Sequence, residues 1–304
     1  MILVITHRTD YTADFVINKL NQRNIPYQRL NCEDLIFQNY AFEINHDFDF
    51  YFQGRKTFTS GWFRRTKLPQ IQGLTEEERL YLLGEYDALI QNIVSSIDCQ
   101  WLSQPRHIYF AENKTVQLRK AKELGFNIPP TLITNKKEMV KSFYDRYNGN
   151  IIIKPISRTR IDYREQPGFI FTNVVGENVI KNLDSFDMNP CILQKNIEKK
   201  YEIRVTVVKD KVFAAAVDSQ EDEDTKVDWR RKKLKFRETR LPKTIEQQCV
   251  QVVKECNLGF GAIDMIKTME NEYFFLELNP NGQWAWIELQ TGQKISEAII
   301  SGLT

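Results

Sequence analysis

A chain of 304 residues has room for two or three domains with substantial cores. Its 42% hydrophobic and 27% charged content is the balance of a soluble globular protein, and the near-neutral net charge of +2 gives no reason to expect nucleic acid. No apolar run reaches the roughly 18 residues of a membrane span. Five scattered cysteines without a C-x-x-C pair and three histidines without ligand spacing speak against a disulfide framework or a zinc site.

The opening MILVITHRTD reads as strand rather than secretion signal, so a reducing cytoplasm is the expected compartment. Residues 2–5 predict a buried strand, 10–23 a helix and 27–30 a second strand. No G-x-G-x-x-G accompanies this βαβ opening, which argues against a dinucleotide-binding unit. Short strands are expected at 42–44, 48–52 and 57–59 around a Gln53-Gly54 turn, followed by the strand Gly61-Trp-Phe-Arg-Arg65. A long amphipathic helix is expected over 76–97, and Ser103-Gln-Pro105 punctuates a first boundary. Beyond it, 113–125 reads as a helix closed by Gly125, 131–134 as a strand, 136–147 as a helix and 151–155 as a buried strand. Strands follow at 192–194 and 202–208, with 212–217 pairing back across Lys209-Asp-Lys211, then a helix over 244–256 and a last helix around 295–300.

Chemistry concentrates in the hairpin that begins at Asp264 and ends in Glu277-Leu-Asn279. Residues two apart on a strand share a face, so Glu277 and Asn279 point the same way, and the hairpin can bring Asp264 beside them. Two carboxylates and an amide suit Mg2+, a hard cation that takes oxygen ligands; a hairpin with a merely solvated polar face is the competing account. Lys154 ends a run of three isoleucines and either meets an α- or β-phosphate as a fixed point charge or simply reaches solvent. Lys114, just inside a helix start, is a weaker anion-binding candidate. After the strand at 191–194, the stretch Gln194-Lys195-Asn196-Ile197-Glu198 offers backbone groups to an adenine, with Glu198 or Glu202 for ribose hydroxyls. Glu202 and Arg204 share a strand face, where they are either an exposed edge pair or place an arginine beside phosphates.

The order of these pieces resembles the ATP-grasp ligases over roughly residues 106–304. Gly61-Trp-Phe-Arg-Arg65, Asp228-Trp-Arg230 and Asn281-Gly-Gln-Trp284 through Glu288 narrow the resemblance to the microviridin-type graspetide maturases, which close rings in ribosomal peptides. The resemblance implies an α/β (α+β) ATP-grasp fold with nucleotide bound between two sheets. It implies a pre-ATP-grasp domain over 1–105, a central subdomain with a peptide-binding region over 106–190, and a C-terminal subdomain with the Mg2+ site over 191–304.

Carried over by position, Lys114 and Lys154 hold ATP phosphates, Gln194, Lys195 and Ile197 line the adenine site, and Glu198 or Glu202 meets the ribose. Asp264, Glu277 and Asn279 bind Mg2+, while Arg204, with Arg230 as second candidate, grips the substrate carboxylate or acyl phosphate. The implied substrate is a precursor peptide with a leader, bound around residues 160–220, and an acidic core. Its Asp or Glu side chains are activated for attack by Ser/Thr hydroxyls (esters) or Lys amines (amides), and relatives are commonly homodimers. A carboxylate–amine ligase acting on a small metabolite or protein terminus is the alternative enzyme; a nucleotide-binding regulator without turnover is the alternative class. Two roles are open to the basic Arg230–Lys235 run: attraction of an acidic core peptide, or pairing with Glu221–Asp224 on a solvated loop. Trp62 is expected as a core anchor, a role open also to Trp284 and Trp286, and one of Arg64 and Arg65 is expected to face the cleft between domains and the other solvent.

Overall fold

The computed structural model spans residues 1–304 and describes all of them except 39, 45, 47–49, 53, 56, 158–159, 163–166 and 186–188. Phe48 and Gln53 of the expected strand and turn, and parts of the 160–220 stretch, therefore lie outside the described residues.

Ile2–Thr6 sits at the centre of a parallel four-stranded sheet, flanked by Tyr27–Asn31 on one side and Ser60–Phe63, then Gln100–Trp101, on the other. The connecting helix Tyr11–Gln22 starts where Asp10 accepts from the amides of Thr12 and Ala13 at 3.1 and 3.3 Å. The longer helix Glu76–Ser96 starts with a reciprocal cap: Thr75 Oγ1 accepts from the Glu78 amide while Glu78 accepts from the Thr75 amide. Pro105 at the first helical position nucleates a short helix, Pro105–Ala111, that the sequence pattern does not predict.

A second, antiparallel sheet orders Asn173–Val174, Ile151–Pro155, Cys191–Lys195 and Thr131–Ile133. Cys191–Lys195 lies between Ile151–Pro155 and Thr131–Ile133, so a division at 190 would split this sheet, whereas the 196–200 connector leaves it whole. Its core is small and separate, built by Val140, Phe143, Ile151, Val175, Leu183 and Leu193. The third sheet is five-stranded and antiparallel, with Tyr201–Val208 at its centre between Lys211–Val217 and Phe260–Lys267. Arg237–Glu238 and Tyr273–Asn279 form its edges. Val205, Val207 and Ile263 from this sheet share one core with Leu3 and Ile5 of the first. Two sheets thus pack through a common interior while the second stands on its own core. Among the described residues no helix is long and apolar enough to cross a membrane.

The junction between the first and third sheets is tight at Gly259. Its amide and that of Phe260 donate to Ser103 Oγ at 3.0 and 3.2 Å, and a Cβ on Gly259 would lie 2.0 Å from the Leu102 carbonyl oxygen. Backbone is what it would strike, so relief requires moving a chain. Gly259→Ala is therefore expected to destabilise the fold by about 1–3 kcal/mol. Gly176→Ala, with open space around it, is expected to stay within about 0.5 kcal/mol of wild type in the same urea titration.

Candidate active site

Alternation alone does not explain how the hairpin acids meet. Asp264 pairs with Glu277 across the strands, but the next pair is Met265 with Phe275, so Leu276 is an extra residue and the register slips there. The slip has a cause in packing. Phe275 and Leu278 are both buried although three residues apart, which a regular strand cannot achieve on one face. The bulge sends Phe275 into the core and leaves Glu277 and Asn279 on the opposite face with Asp264. Asn279 Nδ2 donates to Glu277 Oε1 at 3.0 Å and to Asp264 Oδ2 at 3.4 Å. On the neighbouring strand Arg204 lies opposite Asp264, and its Nη1 donates to Asp264 Oδ1 at 2.7 Å.

Cations close the other sides. Lys114, first in the helix Lys114–Glu123, bonds Glu277 through its ammonium. One turn later the buried Gln117 locks that helix to the hairpin, donating to the Leu278 carbonyl at 2.7 Å and accepting from its amide at 2.9 Å. Sequence reasoning missed Gln117, because a glutamine in a polar helix carries no signal of burial. Lys154 projects from the second sheet into the same field; burial pulls its ammonium down to about 8 even though Glu277 acts to raise it. Arg230 forks onto Asp228 at 2.8 and 2.6 Å, and Asp228 also accepts from the Thr172 amide at 3.1 Å. That fork raises Arg230 above the ordinary guanidinium value. Burial works against charge on Glu277, but the Lys114 and Lys154 ammonium groups outweigh it and hold the carboxyl well below the usual range. At Asp264 burial wins over Arg204 and pushes the carboxyl up. Lys114, Lys154, Arg204 and Arg230 face three acids, Asp264, Glu277 and Asp228, and the one positive charge left over is the complement of an anion.

The expected adenine stretch is pinned at the far end of the second sheet. Gln194 is buried and donates to Thr131 Oγ1 at 2.8 Å, while the Lys195 and Asn196 amides donate to the Pro130 and Asn150 carbonyls at 2.9 and 3.0 Å. Lys195 lies over the Tyr147 ring at 5.8 Å, and Ile197 is half-buried where the chain passes from one sheet to the next. Of the two ribose candidates, Glu198 is exposed and Glu202 buried. Burial pushes the Glu202 carboxyl up, opposed by Lys199, which donates to it at 2.7 Å.

Arg64 and Arg65 take opposite faces as alternation requires, but the one turned away from the cleft is buried on Asp10 rather than reaching solvent. Arg64 is 1% exposed, donates to Asp10 at 3.2 and 3.3 Å and stacks over Trp62. Arg65 is accessible and turns toward the site, donating from Nε to the Asn281 carbonyl at 3.2 Å. Trp62 and Trp284 are buried, and Trp286 packs on Phe236 and Trp229. In the basic run, Lys232 pairs with Asp222 and Asp224 at 2.7 Å, the second of its two expected roles, and Arg231 donates to the Thr172 carbonyl and Asn173. Beside Arg230 a cavity of about 210 Å³ is lined by Phe169, Ile170 and Phe171.

A family model described as a RimK-like ATP-grasp domain matches residues 111–303. No curated protein matches the chain. Among solved structures, the chain is similar to macrocyclase MdnC bound with precursor peptide MdnA from Microcystis aeruginosa MRC, at 28% identity and TM-score 0.88, covering 100% of this chain and 99% of that one. The RiPP-associated ATP-grasp ligase of Chryseobacterium gregarium, in complex with ADP and a leader and core peptide, is similar at 29% identity and TM-score 0.88, with 99% and 96% coverage. Macrocyclase MdnB from Microcystis aeruginosa MRC is similar at 27% identity and TM-score 0.80, with 98% and 97% coverage.

Proposed function

The chain belongs to the RimK-like ATP-grasp family, and from that premise we propose that this ligase closes rings in a ribosomally made precursor peptide. Asp or Glu side chains of the core would be activated as acyl phosphates and attacked by Ser/Thr hydroxyls, giving esters, or by a Lys amine, giving amides. The observation that carries this reading is the surplus of fixed cations around Asp264 and Glu277, combined with likeness over the full chain to two ligases solved with peptides.

An ATP-grasp ligase uses ATP and Mg2+. The residues fit the metal: Asp264, Glu277 and Asn279 gather on one face, the two carboxylates are hard oxygen donors that the Asn279 amide oxygen would join by turning Nδ2 away, and Glu277 is held anionic. These three would hold Mg2+. When bound, the metal and nucleotide supply an activated phosphoryl group with its charge neutralised, so that an anionic carboxylate can approach it. Lys114 and Lys154 would hold phosphates, one from the helix start and one from the second sheet, so the two sheets must close on the same ligand. Gln194, Lys195 and Ile197 would line the base, and the buried Glu202, rather than Glu198, would meet the ribose. Arg204, its direction fixed by Asp264, would stabilise charge on the substrate carboxylate. Arg230, fixed by Asp228 beside the Phe169–Phe171 cavity, would meet the peptide as it enters. The three sheets also support three parts, 1–105, a central part ending in the 196–200 connector, and the remainder.

The test is to incubate the protein with a short acidic precursor peptide sought beside its gene, ATP and Mg2+, and to weigh the product. Each ring should remove the mass of one water, and mild alkali should reopen esters but not amides. A mass gain from a joined small amine, or no change in any precursor, would overturn the proposal.

A further inference from the structure

The loop after the hairpin is held from two directions by guanidinium groups. Arg65 Nε donates to the Asn281 carbonyl at 3.2 Å, and Arg204 Nη2 donates to the Gln283 carbonyl at 3.4 Å. Between these anchors Gly282 has no side chain, and a Cβ there would lie 2.6 Å from Arg204 Nη2. The two cations come from different sheets, Arg65 from just past the Ser60–Phe63 strand and Arg204 from the middle of Tyr201–Val208.

Neither guanidinium has exhausted its donors. Of the five N–H groups each side chain carries, Arg65 commits only Nε. Arg204 commits Nη1 to Asp264 and Nη2 to Gln283, and its buried Nε has no partner. Charge is similarly uncommitted. Arg64 holds Asp10, and Arg65 makes no ion pair among the described residues. Desolvation by the surrounding protein and the charges of Arg64 and Arg204 pull Arg65 below the ordinary guanidinium value, against the opposing pull of Asp10 and Glu112.

We propose that Arg65 binds the reacting side-chain carboxylate of the peptide core together with Arg204, and thereby selects Asp or Glu over Asn or Gln at that position. This rests on the peptide-ligase reading above. A carboxylate has two oxygens that accept from guanidinium forks, and each bond is strengthened by opposite charge. An amide of the same shape turns an NH2 group toward arginine donors and brings no charge, so the pair rejects it. The resting hydrogen bond to Asn281 fixes the approach of Arg65 and links the first sheet to the loop that follows the acids.

The experiment compares wild type, Arg65→Gln and Arg65→Lys, using the acidic precursor and a counterpart in which the reacting acids are amides. Binding of both peptides is measured by competition in the presence of ADP and Mg2+, alongside KM and kcat for the acidic precursor, ADP affinity and melting temperature. For Arg65→Gln, KM should rise about tenfold to a hundredfold, the preference for the acidic peptide should shrink by a similar factor, and ADP affinity should be unchanged. Arg65→Lys, keeping charge without the fork, should recover part of the preference. Wild-type discrimination retained in Arg65→Gln overturns the proposal, as does an equal loss for both peptides or a parallel loss of ADP affinity. If Arg65→Gln melts early, Arg65→Lys must still show reduced preference, or the proposal falls. A wild type that dehydrates no precursor overturns the peptide-ligase reading itself, and this inference with it.

Discussion

Glu277→Gln is expected to abolish ATP-dependent dehydration of the precursor while leaving leader affinity within about twofold of wild type, a change of under about 0.5 kcal/mol. The substitution keeps size and keeps an oxygen to accept from Asn279 Nδ2, so the hairpin should persist. What it removes is the anion on which Lys114 and Lys154 converge. The surplus of positive charge then grows, and the proposed metal site loses one of its two carboxylates. A bound divalent ion contributes several kcal/mol of charge stabilisation in reactions of this kind. At about 1.36 kcal/mol per decade, loss of that contribution slows turnover by about a thousandfold or more. ADP release and product mass measure the chemistry, and fluorescence anisotropy of a labelled leader measures binding. Full turnover in Glu277→Gln would mean that the metal is held elsewhere.

How far the sequence leads depends on the range of the interaction. Glu277 and Asn279 share a face because they are two apart, and Lys154 ends a buried strand because three isoleucines precede it; both facts are local, and both are visible in the string of residues. The bulge beside Asp264 is not. It exists because Phe275 and Leu278 must both enter the core, a demand set by the helices and strands packed behind them. Arg64 and Arg65 show the same limit. Alternation separates their faces, but Asp10, far along the chain, decides that Arg64 is the buried one. Membership of Cys191–Lys195 in the second sheet is likewise a long-range pairing choice, with Ile151–Pro155 on one side and Thr131–Ile133 on the other. The helix Ala285–Thr291 escapes pattern analysis because its seven residues are too few to show a helical period. The ATP-grasp order of motifs survives these gaps, since each motif is short and its internal geometry local.

Asp10→Ala is expected to lower stability by about 3–5 kcal/mol, the cost of leaving a buried partner charge uncompensated. Asp10 is 0% exposed and Arg64 1%, so water cannot replace the lost carboxylate. Asp10 also accepts from Thr6 Oγ1 at 2.7 Å and caps the helix Tyr11–Gln22, and loss of a cap alone costs about 1 kcal/mol. Asp10→Asn separates the two roles, because asparagine caps a helix as well as aspartate does but carries no charge. It should recover about the cap contribution and no more. A charge-free pair, Asp10→Leu with Arg64→Met, should be more stable than Asp10→Ala alone, since neither partner is then left buried and charged. The pH dependence has a fixed sign. Burial acts to raise the Asp10 carboxyl, yet Arg64, Thr6 and the helix amides outweigh it and hold it below its ordinary value of 3.8. Stability from this pair is therefore fully present above that value and is lost as pH falls through the lower, folded-state value. Wild type should lose stability in acid more steeply than Asp10→Asn, in urea titrations run at successive pH values below about 4. A loss in Asp10→Ala under about 1 kcal/mol, or parallel acid profiles for wild type and Asp10→Asn, would mean that Arg64 finds another anion or water, which its burial forbids. The same pair sets the direction of Arg65, one residue on, so Asp10→Asn should also weaken discrimination between acidic and amide core peptides even at temperatures where it remains folded.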